Sequence, residues 1–203
     1  MIRPGKIVCV GRNYLAHAKE LGNEVPKEPL LFLKPPSSVI GVGEAIVLPT
    51  QSKQVEYEGE IGIQIGRKIF RASEAEARDA IGGILAINDV TARDLQKTDD
   101  QWTRAKGFDT FCPIGPVATP PDDLEGLIVV TRVNGVERQR GVASDMAFHI
   151  PMLLAYITTI MTLEPGDLVA TGTPAGVGRL SPGDVVEVEV VGLSRISSTV
   201  AAG

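Results

Sequence analysis

Three glutamates stand at alternate positions in residues 55–66, VEYEGEIGIQIG, and their type and spacing suggest chemistry. The apolar residues of this stretch fall on the intervening positions, which is the pattern of a β-strand. Glu56, Glu58 and Glu60 are therefore expected on one face of a strand, with neighbours about 7 Å apart. A row of like charges at this spacing is either solvated or lies against something positive.

Carboxylates at this spacing can share one cation when a further oxygen ligand comes from elsewhere in the chain. Asp89 is the best candidate, because it follows the apolar run GGILAIN and is expected at the end of a buried strand. Glu58, Glu60 and Asp89, with no Cys or His nearby, predict a hard-cation site for Mg²⁺ or Mn²⁺ and argue against zinc. A solvated strand face remains the alternative, because E-x-E is also common on exposed strands.

The stretch GRNYLAHAKE has His17 and Glu20 three residues apart. On a helix this spacing brings both side chains to one face, where the carboxylate can orient the imidazole and stabilise its charged form. Such a pair is suited to general-base activation of water. An ordinary surface pair is the alternative interpretation.

Two further stretches, TARDLQ and TRAKGFD, contribute Arg93, Gln96 and Lys106, for which plain surface polarity is the alternative. Residues 169–178, VATGTPAGVG, are small and polar after an expected strand, a composition that allows close approach of the backbone to a ligand. This stretch is not a phosphate-binding P-loop, because no G-K-[ST] follows.

Composition limits the class of protein. The 203 residues are 43% hydrophobic and 22% charged, typical of a globular chain, and we expect one domain over residues 1–203. The net charge of −5 argues against a nucleic-acid partner. No apolar run reaches the roughly 20 residues of a membrane span. Cys9 and Cys112 lie far apart, which indicates buried thiols of a cytoplasmic protein rather than a disulfide.

The elements that must position these residues are many short strands and few helices, which favours a β-rich α+β domain with mixed sheets over a doubly wound fold. Strands are predicted at KIVCVG, at LLFL, in the acidic stretch with breaks near Gly59 and Gly62, at IGGILAIN, and on both sides of an Asn134-Gly135 hairpin turn. Helices are predicted at 14–21 (or a lid-like segment), at 74–80 after a capping box, and over IPMLLAYITTIM, with a loop over 95–110 and PGD turns at 165–167 and 182–184.

The chain resembles the fumarylacetoacetate hydrolase family, in its short branch of single-domain acylpyruvate hydrolases and oxaloacetate decarboxylases. The resemblance covers nearly the whole chain and rests, in order, on GRNYLAHAKE, PLLFLKPPSS, YEGEIG, NDVTARDLQ, WTRAKGFDTFCPIGP and LEPGDLVATGTPAGVG. It implies a β-rich roll of mixed sheets, a homodimer, and one catalytic domain in which residues 12–24 form an active-site lid.

The resemblance also implies roles for individual residues. The metal ligands are Glu58, Glu60 and Asp89; the catalytic residues are His17, Glu20 and Lys106; the substrate-binding residues are Arg12, Gln96 and Thr173. Glu56 matches no ligand and is expected to be solvated, and His149 lies outside every motif and is expected to be structural. Val8, Cys9 and Val10 stand where the larger fumarylacetoacetases carry a further acidic ligand, which counts against fumarylacetoacetate as the substrate.

The implied activity is cleavage of a C–C bond in a small 2-keto acid with a 1,3-dicarbonyl group, with Mg²⁺ or Mn²⁺ as cofactor. Acylpyruvate hydrolysis and oxaloacetate decarboxylation both fit. Two alternatives stay open: an isomerase or hydratase acting on a 2-hydroxy-dienoate, and a catalytically silent metal-binding homologue. The presence of both His17 and Glu20 weighs against the silent homologue.

Overall fold

The computed structural model of the protein describes residues 3–15 and 26–203. The strands are β1 (Ile7–Gly11), β2 (Leu30–Lys34), β3 (Val39–Ile40), β4 (Ile46–Leu48), β5 (Val55–Tyr57), β6 (Gly59–Ile65), β7 (Ile81–Asn88), β8 (Thr91–Ala92), β9 (Cys112–Pro113), β10 (Ile128–Val133), β11 (Val136–Val142), β12 (Leu168–Ala170), β13 (Gly178–Arg179), β14 (Val185–Val190) and β15 (Ser194–Ala202). The α-helices that lie wholly within the described residues are α1 (Glu74–Arg78), α2 (Arg93–Thr98), α3 (Thr103–Lys106) and α4 (Ile150–Ile160). Of the predicted lid over 12–24, only residues 12–15 are described, so His17 and Glu20 lie outside the described residues.

The described chain is strand-rich with mixed sheets, which confirms the predicted β-rich α+β class. One five-stranded sheet has the order β2-β1-β12-β6-β7, and only its β1–β12 pair is parallel. The other has the order β11-β10-β14-β15-β4, and only its β15–β4 pair is parallel. Two smaller sheets, β13-β5-β8 and β3-β9, complete the arrangement.

The main core lies where β6 and β7 of the first large sheet pack against β10, β14 and β15 of the second. Its side chains are mostly aliphatic, in keeping with an aromatic content of only 4%. Gly59 allows the close approach of the two sheets, because a Cβ at this position would lie 1.9 Å from Thr131 Oγ1. The buried face of α4, with Leu153, Leu154 and Ile157, belongs to the same core.

Several local predictions are confirmed. Asn134 and Gly135 join β10 to β11 with φ values of 52° and 78°, the left-handed backbone that a type I′ turn requires at both positions. Ser73 and Glu76 form the predicted capping box, although α1 ends at Arg78, two residues before the predicted end. Pro151 occupies the first turn of α4, where its missing N–H removes no helical hydrogen bond.

The predicted loop over 95–110 is wrong, because most of α2 and all of α3 fall within it. These helices have six and four residues, too few for a hydrophobic periodicity to be visible in the sequence. Contacts with a distant segment hold α2 at its first turn: Asp94 accepts hydrogen bonds from Ser52 Oγ (2.6 Å) and from the backbone N–H of Lys53 (2.7 Å). The helix is therefore stabilised by tertiary contacts rather than by propensity.

The acidic stretch is interrupted at Glu58, between β5 and β6, as predicted near Gly59. The second predicted break, near Gly62, is wrong, because β6 runs through Gly62 to Ile65. Gly62 is required by packing instead: a Cβ there would lie 2.5 Å from Ile87 Cδ1.

Cys9 and Cys112 are both free and buried, as predicted. Burial raises the pKa of both thiols, that of Cys112 to about 12. In the described part of the chain, no helix combines the length and the apolar character needed to cross a membrane.

Candidate active site

A cavity of about 290 Å³ lies at the ends of β6 and β7 and brings together seven of the nine predicted site residues. The other two, His17 and Glu20, fall outside the described residues. The predicted residues that line the cavity are Arg12, Glu58, Glu60, Asp89, Gln96, Lys106 and Thr173.

The pairing of β6 with β7 brings the three predicted metal ligands together. Gly59 is opposite Asn88 in this antiparallel pair, so Glu58 and Asp89 meet just beyond it, and Asp89 N–H donates to the Glu58 carbonyl oxygen (2.8 Å). Glu60 follows on β6. One carboxylate oxygen from each of Glu58, Glu60 and Asp89 lies within 4.8 Å of the other two.

Two lysines contact these carboxylates, and one of them bridges Glu58 and Asp89. Lys106 Nζ donates to Glu58 Oε2 (2.7 Å) and to Asp89 Oδ2 (2.6 Å). Burial opposes the charge on Lys106, but Asp89 and Glu58 outweigh it and raise the pKa of Lys106 to about 12. On the other side of Asp89, the fully buried Lys34 donates to Oδ1 (2.7 Å) and to the carbonyl oxygen of Val90 (3.1 Å). Asp89 is thus held by a lysine at each oxygen.

The expectation that Glu56 is solvated is wrong. Glu56 is 8% exposed and accepts hydrogen bonds from Arg93 Nε (2.7 Å) and Gln54 Nε2 (2.6 Å). Arg93 also donates to Glu58 through Nη2 and to Gln96 Oε1 through Nη1 (2.5 Å). Arg93 therefore ties the acidic stretch to α2, and the positive group against Glu56 comes from this chain.

Glu60 is bonded differently from the other acids of the site. It accepts a hydrogen bond from Gly172 N–H (2.8 Å), and it forms no ion pair with any residue in the described ranges. Burial, followed by the charges of Asp89 and Glu58, raises the pKa of Glu60 well above its ordinary value. A cation bound beside Glu60 would stabilise the charged form of this carboxylate.

The Gly-Thr loop after β12 closes the side of the cavity next to Glu60. Gly172 has φ 102°, and a Cβ there would lie 2.8 Å from Asn13 Cβ, so glycine is required. Thr173 Oγ1 donates to the Gly59 carbonyl oxygen (2.9 Å) and accepts from Gln139 Nε2 (2.8 Å). These bonds fix the Thr173 hydroxyl at the cavity wall.

The structure also adds residues that the sequence predictions missed. Phe32 and Trp102 form an edge-to-face aromatic pair in the cavity wall, with ring centroids 5.3 Å apart, and Lys97 lines the cavity beside Gln96. Lys34 precedes Pro35 and Pro36 in the family motif PLLFLKPPSS. The motif singles out this stretch of the chain, but nothing in the sequence predicts the contact of Lys34 with Asp89. His149, predicted to be structural, precedes α4: its carbonyl oxygen accepts from Leu153 N–H (2.8 Å), and its ring is half exposed.

The donor set fits a divalent cation. Carboxylate oxygens are ligands that Mg²⁺ and Mn²⁺ prefer, and three buried ones lie within 4.8 Å of one another here. Glu60 lacks a cationic partner among the described residues, which leaves negative charge for an ion to balance. Glu58, Glu60 and Asp89 are therefore the residues that could hold a metal.

Comparison with known proteins agrees with this geometry. A sequence model described as Fumarylacetoacetate (FAA) hydrolase C-terminal matches residues 6–201. The mitochondrial oxaloacetate tautomerase of Arabidopsis thaliana is 46% identical, covering 94% of this chain and 88% of the relative. The mitochondrial oxaloacetate decarboxylase of Dictyostelium discoideum is 45% identical, covering 93% and 89%.

Solved structures give the same result. The 2-hydroxyhepta-2,4-diene-1,7-dioate isomerase of Mycobacterium marinum is 42% identical with a TM-score of 0.91, covering 99% of this chain and 76% of that one. The fumarylpyruvate hydrolase of Pseudomonas aeruginosa, in complex with Mn²⁺ and pyruvate, is 30% identical with a TM-score of 0.91, covering 100% and 91%. The chain therefore belongs to the fumarylacetoacetate hydrolase family and is an enzyme of its metal-dependent hydrolase or lyase type.

Proposed function

We infer that this enzyme cleaves a C–C bond in a small 2-keto acid with a 1,3-dicarbonyl group, by acylpyruvate hydrolysis, oxaloacetate decarboxylation or both. One observation carries the proposal: three buried carboxylates and a buried lysine converge in a cavity of about 290 Å³. That volume suits a metabolite of a few carbon atoms rather than a large ligand. The names of the decarboxylase and hydrolase relatives support the same reaction class.

In this proposal Glu58, Glu60 and Asp89 hold Mg²⁺ or Mn²⁺. The bound ion supplies a Lewis acid for the enolate charge that develops when the C–C bond breaks. Lys34 and Arg93 keep Asp89 and Glu58 in position, since each donates to an oxygen of the carboxylate that it contacts. Fixed carboxylates spare the site the cost of rearrangement on binding.

Lys106 neutralises negative charge on substrate oxygens, a role suited to a buried cation whose pKa of about 12 keeps it protonated at neutral pH. Gln96 and Thr173 contact the substrate from the cavity wall and so help to orient it. His17 and Glu20, outside the described residues, are proposed to activate the water that attacks the distal carbonyl in hydrolysis. Decarboxylation requires no attacking water.

Isomerisation of a 2-hydroxy-dienoate or tautomerisation of a keto acid is the second candidate. It is favoured by the names of two relatives, the tautomerase at 46% identity and the isomerase at 42%. These reactions move a proton next to a carbonyl and use the same enolate-stabilising groups without breaking a C–C bond.

A substrate panel separates the candidates. Purified protein with Mg²⁺ is incubated with acetylpyruvate, oxaloacetate and a 2-hydroxy-dienedioate, and pyruvate, released CO₂ and the ultraviolet spectrum are followed. Pyruvate formation from the first two acids supports C–C cleavage. If the spectrum changes but no acid yields pyruvate or CO₂, the proposal of C–C cleavage is contradicted and isomerisation is supported.

The water-activating role of His17 is tested by comparing two reactions of one variant. His17→Ala is expected to lose about 10²–10⁴-fold in acetylpyruvate hydrolysis, the usual value of a general base. Oxaloacetate decarboxylation should fall much less, because it needs no activated water. Equal losses in both reactions would contradict this role and leave His17 as a positioning or proton-transferring residue.

Residues 1–203 are proposed to act as one catalytic domain, with 12–24 as its lid, in a cytoplasmic homodimer. The buried thiols Cys9 and Cys112 are consistent with a reducing compartment. Light scattering of the purified protein measures the oligomeric state, and a monomeric mass would contradict the dimer.

A further inference from the structure

Four cationic side chains line the cavity, and they divide into two pairs. Arg93 and Lys106 are buried and are bonded to Glu58 and its neighbours. Arg12 and Lys97 differ, because within residues 3–15 and 26–203 neither has an ion pair or a side-chain hydrogen bond. Two cations of this cavity are therefore available to a ligand.

The helix α2 explains how Lys97 reaches the cavity. Arg93, Gln96 and Lys97 are spaced i, i+3 and i+4, so their side chains share one face of the helix, and all three line the cavity. Arg93 is buried, Gln96 is half-buried and Lys97 is exposed. On this face of α2, the buried Arg93 contacts Glu58, and the exposed Lys97 lies at the solvent side of the cavity.

The backbone at Arg12 is a second, independent observation. Its φ of 59° lies in the left-handed region, which residues other than glycine, asparagine and aspartate seldom adopt. Among described non-glycine residues, positive φ also occurs at Arg71, Thr110 and Asn134, but only Arg12 lines the cavity. Backbone strain of this kind clusters at active sites and at residues that clamp a ligand.

A count of charges indicates what these two cations bind. With every group ionised, Glu56, Glu58, Glu60 and Asp89 exceed Lys34, Arg93 and Lys106 by one negative charge. A divalent cation and the carboxylate of one 2-keto acid then bring the inner cavity to neutrality. The charges of Arg12 and Lys97 are additional, and a second carboxylate on the substrate offsets one of these two positive charges and can accept hydrogen bonds from both side chains.

We propose that Arg12 and Lys97 form a subsite for the distal carboxylate of the substrate, so that the enzyme prefers dicarboxylic 2-keto acids over monocarboxylic ones. This inference rests on the proposed function, because it assumes that a 2-keto acid head occupies the inner cavity. Both kinds of acid present the same 2-keto carboxylate group to the metal-binding carboxylates and Lys106. The preference therefore arises from the difference in binding free energy at the other end of the molecule.

Trp102 provides a direct measure of binding, because it lines the cavity and is the only tryptophan in the chain. Two ligands with one carbon skeleton, 2-oxopentanoate and 2-oxopentanedioate, are titrated in the presence of Mg²⁺. They differ only in a terminal methyl or carboxylate group, and neither is a β-keto acid that would decarboxylate. Thermal denaturation of the same mixtures gives a second measure of affinity and shows whether each variant is folded.

The wild-type protein is expected to bind 2-oxopentanedioate about 10-fold or more tightly than 2-oxopentanoate, the effect of one good charged contact. Lys97→Ala and Arg12→Gly should each reduce that ratio, and Lys97→Glu should reduce it further than Lys97→Ala. Arg12→Gly removes the cation while relieving the backbone. The double variant should bind both acids equally.

Two exposed cations outside the cavity serve as matched controls. Arg71→Ala removes another arginine with positive φ (49°), and Lys53→Ala removes a lysine near the start of α2; both should keep the wild-type ratio. Equal affinity of the wild type for the two acids, or an unchanged ratio in the double variant, would overturn the subsite while leaving the proposed function standing. Binding of neither acid would overturn the proposed function and the subsite with it.

Discussion

Two regions of this protein carry the same sequence pattern and the same contact, yet differ in what surrounds them. At the cavity, Glu56 and Glu58 are bridged by Arg93. On the second large sheet, Glu187 and Glu189 are bridged by Arg132, at 3.0 and 2.8 Å. In each case the glutamates are two residues apart.

The difference between the two regions is burial. The side chains of Arg93, Glu56 and Glu58 are 6%, 10% and 6% exposed, whereas that of Arg132 is 29% exposed and pairs with more accessible acids. Buried charges cannot be solvated by water when a partner is lost. Removing one partner of a buried ion pair therefore lowers the free energy of unfolding strongly. Surface pairs exchange protein partners for water at little cost. An E-x-E pattern therefore indicates a site only when other elements cover it.

The largest effect is expected from removing the buried arginine. Arg93→Met leaves Glu56 and Glu58 buried without their shared cation, and the free energy of unfolding should fall by about 3–5 kcal/mol. Arg132→Met removes the matched surface bridge and should lower it by about 1 kcal/mol or less. Urea unfolding of both variants measures the difference, and similar losses would contradict the distinction between the two regions.

Lys34 extends the comparison to lysines. Lys34→Met should lower the free energy of unfolding by about 3 kcal/mol, at the lower end of the range for a broken buried pair, because Asp89 retains Lys106. Lys68 pairs with Glu164 at 3.0 Å on the surface, where the two side chains are 66% and 49% exposed. Lys68→Met should leave stability unchanged by the same urea measurement. An unchanged free energy of unfolding in Lys34→Met would show that Lys106 alone suffices to hold Asp89.

Glu60 sharpens the comparison, because it is buried without an ion pair among the described residues. Glu60→Gln should leave the metal-free protein as stable as the wild type or more so, since it removes repulsion with Asp89 and Glu58. Mg²⁺ at about 100 times its Kd should stabilise the wild type by about 2.7 kcal/mol, and Glu60→Gln should lose this gain. Calorimetric titration and thermal unfolding with and without Mg²⁺ test both statements.

The control for that experiment is Glu189→Gln, which changes an E-x-E glutamate on the other sheet and should keep the full response to Mg²⁺. Unchanged Mg²⁺ affinity in Glu60→Gln would remove Glu60 from the metal ligands.

Salt gives the smallest effect. Raising NaCl from about 0.1 M to about 1 M shortens the Debye length from about 10 Å to about 3 Å. The small loss in Arg132→Met should disappear at high salt, because that bridge is in contact with solvent. The loss in Arg93→Met should persist, because buried pairs are screened much less. Loss of both effects at high salt would indicate that water reaches Arg93.

Much of the fold and site could be predicted where the signal is local. The Asn134-Gly135 turn needs left-handed backbone at two adjacent residues, and Ser73 with Glu76 satisfies the first N–H groups of a helix; both depend only on neighbouring residues. The carboxylates Glu58, Glu60 and Asp89 could be selected by chemistry, because oxygen ligands at the ends of paired strands suit a hard cation. The ordered family motifs determined the family.

Other features depended on residues far apart in the chain, and only the tertiary structure decided them. Arg93 and Arg132 each bridge two glutamates of an E-x-E pattern, but the Arg93 side chain is 6% exposed at the start of α2, whereas that of Arg132 is 29% exposed. The contact of Lys34 with Asp89 joins residues 55 positions apart, and α2 is too short to be predicted without Ser52 and Lys53. Sequence determines which charges the chain carries, but their consequences depend on whether water can reach them, and that is a property of the packed molecule.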